Sequence, residues 1–268
     1  MNTNITDHYS FGGLRGRIEN GLSMLDSAPT VETLAPVDEF HVGGRAATAH
    51  LVEQLDLDAG DHVLDIGSGL GGTARFMAAS AGVAVTGVDL TEEYVQVATW
   101  LTELVDLSGS VQFIHASAAE LPVPAQAFAA ATMVHVGMNI PDKAAVFGDI
   151  ADRLAPGAVF GIYDLMVSGE VHPDYPVPWA PTRTTSFLET PARYVAHLEA
   201  AGFGSVEVRD RTHAALAAFE LLASAPGNGP PALGLHLVMG PDTPTKFGNL
   251  VAAVRSGAIV PTEIIARL

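Results

Sequence analysis

The chain contains no cysteine. That absence removes disulfides, thiol nucleophiles and thiolate metal sites together, and it fits a reducing cytoplasm. Cationic side chains are scarce as well: 13 Lys and Arg stand against 30 Asp and Glu, a formal net charge of −17 over 268 residues. Such a field repels phosphate backbones and anionic lipid, so neither nucleic acid nor a membrane surface is an expected partner. No run approaches the roughly 18 uninterrupted apolar residues of a membrane span. The opening residues, MNTNITDHYS, lack the basic-then-hydrophobic pattern of a secretory signal. The histidines show no His-Glu-x-x-His or comparable spacing, so no metal site is expected. What the chain has is apolar material, 48% hydrophobic against 16% charged, which is ample for a packed core.

The centre of the chain reads as repeated strand–helix units. Short apolar runs at His62–Ile66, Val83–Asp89, Val111–His115, Ala129–His135 and Ala158–Asp164 are expected strands. Ser205–Arg209 and Ile259–Ala266 extend the series to seven. Between the second and third, Tyr94, Ala98, Leu101 and Val105 recur at helical spacing, with Thr91 as N-cap. Phe147, Ile150, Ala151 and Leu154 repeat the pattern before Ala155-Pro156-Gly157 ends it. Thr190-Pro191 opens a further helix, which Gly202 closes. A helix is also expected over Ala46–Leu55. Alternation of this kind implies an α/β fold, a mostly parallel sheet with helices on both faces.

The segment Val63-Leu64-Asp65-Ile66-Gly67-Ser68-Gly69-Leu70-Gly71-Gly72 joins the first strand to its helix. Glycines there let the backbone turn sharply and approach a ligand, and the helix start offers unpaired N–H groups. Asp89 ends the next strand, where a carboxylate can accept hydrogen bonds from both hydroxyls of a ribose. Loop and acid together point to an adenosine ligand at the C-terminal edge of the sheet. Gly67, Gly69 and Gly72 satisfy the dinucleotide pattern G-x-G-x-x-G, which keeps an NAD(P)-dependent oxidoreductase open. Asp65 weighs against it, because a fixed carboxylate repels a pyrophosphate and suits an ammonium or a sulfonium. S-adenosylmethionine (SAM) carries both.

On these residues the sequence resembles the class I SAM-dependent methyltransferases. The likeness rests on V-L-D-I-G-S-G-L-G-G, G-V-D-L, A-E-L-P and F-A-A-A-T-M-V-H-V. It continues through R-L-A-P-G-A-V-F-G-I-Y-D and P-A-R-Y-V-A-H-L-E-A-A-G-F. It covers about residues 40–210 and is nearest the UbiE-like and sarcosine/dimethylglycine methyltransferase branches. The resemblance implies a Rossmann-like seven-stranded sheet with an antiparallel last strand and a helical lid. It implies that Asp65 faces the methionine amine, that Gly67, Ser68 and Gly69 pass under methionine and ribose, and that Asp89 holds the ribose hydroxyls. Leu90 would pack on the adenine, with Ser117 and Ala118 at its edge, although many relatives carry Asp where this chain has Ser117. Arg45 would pair with the methionine carboxylate.

His135 falls where the loop after the fourth strand borders the methyl group, and an imidazole there suits proton transfer near neutrality. Tyr163 and Asp164 end the fifth strand and are expected to orient the acceptor. Tyr9 in a folded-over N-terminal segment, His41, Trp179 in a Pro-rich insertion and His236 in a later one complete the expected acceptor side. The expected organisation is a helical lid and first core helix over 1–58, then a SAM-binding core over 59–212 with an insertion at about 168–189. A covering insertion and the last strand of the same domain follow over 213–268. The expected activity is methyl transfer from SAM to a small molecule at N, O, S or C, by a cytoplasmic monomer or homodimer. A non-catalytic SAM-binding protein is the other alternative.

Overall fold

The computed structural model describes residues 12–169, 171–224 and 231–268. Its centre is a seven-stranded sheet of order β3-β2-β1-β4-β5-β7-β6. The strands are β1 (His62–Ile66), β2 (Ala84–Asp89), β3 (Val111–His115), β4 (Phe128–Val134), β5 (Leu154–Val167), β6 (Ser205–Asp210) and β7 (Ile259–Arg267). In β1, Val63, Leu64, Asp65 and Ile66 are all buried, as expected of a strand covered on both faces. β1 pairs in parallel with β2 on one side and with β4 on the other. Chain direction out of the sheet therefore diverges between β1 and β4, and open α/β sheets carry their ligand crevice at the carboxyl ends beside such a point. β7 runs antiparallel to both β5 and β6.

Ten helices are described. They are α1 (Leu14–Leu22), α2 (Val31–Asp38), α3 (Gly44–Val52), α4 (Gly72–Ala81), α5 (Glu92–Leu104), α6 (Lys143–Arg153), α7 (Pro191–Ala200), α8 (Thr212–Ser224), α9 (His236–Met239) and α10 (Thr243–Arg255). Helix α5 buries Tyr94, Ala98 and Leu101 of the expected stripe, with Val97 beside them, while Val105 is the residue after the helix and is half-buried. Thr91 stands at its N-cap, but its side chain does not cap the helix. Its backbone N–H instead donates to Asp89 Oδ1 at 2.8 Å. Thr190 does cap α7, accepting from the Arg193 N–H, and Gly202 follows at φ +101°.

Several boundaries differ from expectation, those of β5 for nonlocal reasons. Leu154 is not the last helical residue but the first of β5, paired with Phe128. β5 runs on to Val167 because β7 pairs with it that far, Val167 opposite Ile259. The helix expected at Ala46–Leu55 is α3, which starts earlier at Gly44 and ends at Val52.

The N-terminal helices sit over the carboxyl edge. Leu14, Ile18, Leu34 and Val37 are buried against Leu70, Tyr94, Val97, Leu101, Leu233 and Val238. Each such aliphatic side chain contributes about 1.5–3 kcal/mol by leaving water. Beneath them Arg75 of α4 is fully buried. It donates to Asp38 Oδ2 at 2.6 Å, to the Ala98 carbonyl at 3.1 Å and to Thr102 Oγ1 at 2.9 Å. One guanidinium thus ties α2, α4 and α5 together. Among the described residues no helix is long and apolar enough to cross a membrane.

Candidate functional site

The turn after β1 is built by backbone conformations that favour glycine. Gly67, Gly69 and Gly71 have φ of +67°, +54° and +83°. The Gly67 and Ser68 N–H groups both donate to the Val88 carbonyl, at 2.7 and 3.1 Å, which folds the turn against the end of β2. A Cβ on Gly67 would come within 2.3 Å of the Val136 side chain, so only glycine fits. A Cβ on Gly69 would meet no protein atom within 4 Å and would project into open space. That space belongs to a cavity of about 340 Å³.

Of the aspartates that border the cavity, Asp65 and Asp89 are held in different ways. Asp89 Oδ2 accepts the Gly69 N–H at 2.8 Å while Oδ1 accepts that of Thr91. The acid clamps the glycine turn to the start of α5 and keeps lone pairs for a ligand. Burial pushes its carboxyl upward, opposed by those two backbone bonds. Asp65 sits opposite Thr132 of β4 and accepts the Thr132 hydroxyl at Oδ1, 2.7 Å away. Its Oδ2 is buried and has no partner among the described residues. Burial pushes the Asp65 carboxyl up to about 7, against the pull of Thr132. A buried, unpaired carboxylate oxygen costs free energy until a cation or donor reaches it.

His135 lies one residue beyond β4 rather than at its end, with φ +55°. Its N–H donates to the Tyr163 carbonyl at 2.8 Å. Its Nε2 is buried without a partner, and burial, with the nearby His41, pushes the imidazole far below its ordinary value. The His41 ring stands edge-on to it, centroids 5.7 Å apart.

The structure brings Asp65, Gly67, Ser68, Gly69, Asp89, Leu90, Ser117, Ala118, His135 and His41 onto one cavity. Five expected site residues lie elsewhere. Arg45 does not line the cavity: its NH1 is 2.5 Å from Glu39 Oε1, its NH2 donates to the Val31 carbonyl, and its guanidinium lies over Phe76. Asp164 is fully buried, accepting from Tyr194 Oη at 2.8 Å and from the Leu165 N–H. Burial pushes its carboxyl up to about 6. Tyr163 is buried behind the two histidines, its ring 5.2 Å from His135 and 6.2 Å from His41. Trp179 is buried in the core and donates from Nε1 to Ser186 Oγ, anchoring its own loop. His236 begins α9, from which Val238 rather than the histidine reaches the cavity. Tyr9 lies outside the described residues.

Sequence reasoning missed Asp38, Phe40 and Asn139 in the lining, and it read Tyr94 only as a core position. It also missed Glu39, buried behind His41 and bonded to it. An acid two residues before a histidine, ahead of Gly43-Gly44, was the available signal.

Residues 63–157 match a family model described as a methyltransferase domain. The chain is 29% identical over 177 residues to methyltransferase GfsG of Streptomyces halstedii, covering 65% of this chain and 64% of that protein. It is 31% identical over 173 residues to erythromycin 3''-O-methyltransferase of Saccharopolyspora erythraea, covering 59% and 56%. The chain thus spans less than two thirds of the length of either relative. Among solved structures, geranyl diphosphate C-methyltransferase from Streptomyces coelicolor A3(2), in complex with Mg2+, geranyl-S-thiolodiphosphate and S-adenosyl-L-homocysteine, superposes with a TM-score of 0.72. At 16% identity, over 99% of this chain and 97% of that one, the likeness is one of fold. Residues 63–157 thus match a methyltransferase domain, and the sheet order and glycine turn are consistent with that match.

Proposed function

We propose that the protein transfers a methyl group from SAM to a small-molecule acceptor. The observation that carries this reading is the buried, unpartnered Asp65 oxygen beside a glycine turn whose far end is clamped by Asp89. A carboxylate with no cation of its own fits the ammonium of the methionine part, and it does not fit a pyrophosphate. Asp89 would accept the ribose hydroxyls, each charge-assisted bond worth roughly 1.5–3 kcal/mol. Leu90, Ser117 and Ala118 line the adenine end. The Ser117 hydroxyl accepts the Ala119 N–H at 3.2 Å and keeps a second lone pair for an adenine amino group. Bound in this way, SAM supplies an electrophilic methyl carbon on a sulfonium, whose thioether leaves readily. The chain's part is alignment and exclusion of water. His135 and His41 wall the acceptor end, with Val136 and Asn139 beside them. In this reading residues 1–58 are the helical lid and first core helix, and 213–268 the covering insertion and last strand. A cytoplasmic monomer or homodimer completes it.

The test is calorimetric and chemical. Wild-type protein should bind S-adenosylhomocysteine in the micromolar range and NAD not measurably. Asp89→Ala should weaken that binding by one to two decades, given the two bonds at stake. Incubation with isotopically labelled SAM and a metabolite extract should yield a methylated small molecule by mass spectrometry. Binding of NAD in place of S-adenosylhomocysteine, or unchanged affinity in the variant, overturns the reading.

A further inference from the structure

The cavity wall at the acceptor end contains a buried acid–imidazole pair. Glu39 follows the last residue of α2 and is almost wholly buried. Its Oε2 lies 2.6 Å from His41 Nε2 and accepts the Thr48 hydroxyl at 2.6 Å, while Oε1 faces the Arg45 guanidinium. Burial alone would push the Glu39 carboxyl upward, but His41, Arg45 and Thr48 outweigh it and hold the group below its ordinary value. Glu39 is therefore a carboxylate, an acceptor only.

That fixes the histidine. A bare Nε2 at 2.6 Å from a carboxylate oxygen would set lone pair against lone pair, so Nε2 carries the proton. Thr48 cannot supply an alternative, since its one proton goes to Glu39 and its oxygen, 3.0 Å from Nε2, only accepts. In the neutral ring Nδ1 then keeps its lone pair. It lies 3.4 Å from the Val42 carbonyl, which gives it no proton. Once Nδ1 takes a proton, the carbonyl becomes its partner and Glu39 balances the new charge. His135 has no such support. Among the described residues its Nε2 is buried without a hydrogen-bond partner, and the neighbouring rings are those of His41 and Tyr163.

We propose that His41, oriented by Glu39, takes the proton from the methyl acceptor, while His135 stays neutral and holds that acceptor by a hydrogen bond. The acceptor's N–H or O–H bond would break with its proton going to His41 Nδ1, and an electron pair on the acceptor atom would form the bond to the methyl carbon as the carbon–sulfur bond of SAM breaks and its pair stays on the departing thioether. His41 is thus a catalytic residue and Glu39 a positioning residue. The assignment rests on the methyltransferase reading above.

The test uses full-length protein with 15N-labelled histidine, saturated with S-adenosylhomocysteine, and long-range 1H–15N NMR of the imidazoles at neutral pH. His41, assigned by the signals lost in His41→Gln, should show the Nε2–H tautomer in the wild type. Glu39→Gln should convert it to a mixture and leave the His135 signals in place. An Nδ1–H tautomer in the wild type overturns the proposal without any Glu39 variant having to fold, as do His41 signals unmoved by Glu39→Gln. With labelled SAM and a metabolite extract, His41→Gln should lower transfer about a hundredfold or more, the usual reach of a positioned base. His135→Gln should lower it less, and the reverse order also overturns the proposal. Wild-type protein that binds S-adenosylhomocysteine yet methylates nothing brings down the methyltransferase reading, whatever the tautomer.

Discussion

At the scale of single residues, Asp65 holds an oxygen buried at a cost that a proton or a ligand relieves. Its folded-state carboxyl is raised to about 7, above the unfolded value near 4. The folded protein therefore binds this proton more tightly than the unfolded chain does. The linkage sign follows: Asp65 lowers stability progressively as pH rises from about 4 to about 7, and the penalty is complete above that. Asp65→Asn should accordingly raise the thermal midpoint of the ligand-free protein at pH 8 and change it little at pH 4. The same substitution should weaken S-adenosylhomocysteine binding, and in the wild type that affinity should fall with pH below about 7. Thermal unfolding and calorimetry across this range check both. Equal effects of the substitution at both pH values would show that ionisation is not the cause. Asp65, Asp89 and the glycines were legible in the sequence because strand ends and positive φ are local signals. Arg45 and Trp179 were expected on the site but are engaged by Glu39 and Ser186, partners close by in the chain that no periodic pattern marks. Glu39 itself shows its purpose only once the turn between α2 and α3 brings Thr48 and His41 onto it.

At the scale of elements, the strand–helix alternation was legible throughout, and the edges were not. Leu154 satisfied a helical period yet joined β5, since Phe128 offered a strand to pair with. The full length of β5 depended on β7, far along the chain. The contact joining the elements of the site is the Arg75–Asp38 pair, both side chains wholly buried. Replacing one partner leaves the other charge buried alone, at a cost of about 3–5 kcal/mol. Arg75→Met should lose about that much in urea unfolding. Adding Asp38→Leu should restore part of it, since no uncompensated charge then remains. A double variant less stable than the single one would show that the pair does more than neutralise itself. The loss should also appear in S-adenosylhomocysteine affinity, because Asp38 lines the cavity.

At the scale of the whole molecule, a net charge of −17 acts against compactness. Raising sodium chloride from 10 to about 150 mM shortens the Debye length from roughly 30 to 8 Å, so the thermal midpoint should rise with salt over that range. A flat or falling midpoint would mean that local ion pairs outweigh the general repulsion. The position of β7 carries a different consequence. β6 touches the sheet only through β7, so its hydrogen-bonding edge stays open while α8, α9 and α10 are being synthesised. The ribosome must deliver the chain to about Arg267 before that edge closes. Arrested nascent chains that stop short of Ile259 should therefore leave Ser205–Asp210 open to proteases, while the five strands from β1 to β5 are already able to assemble.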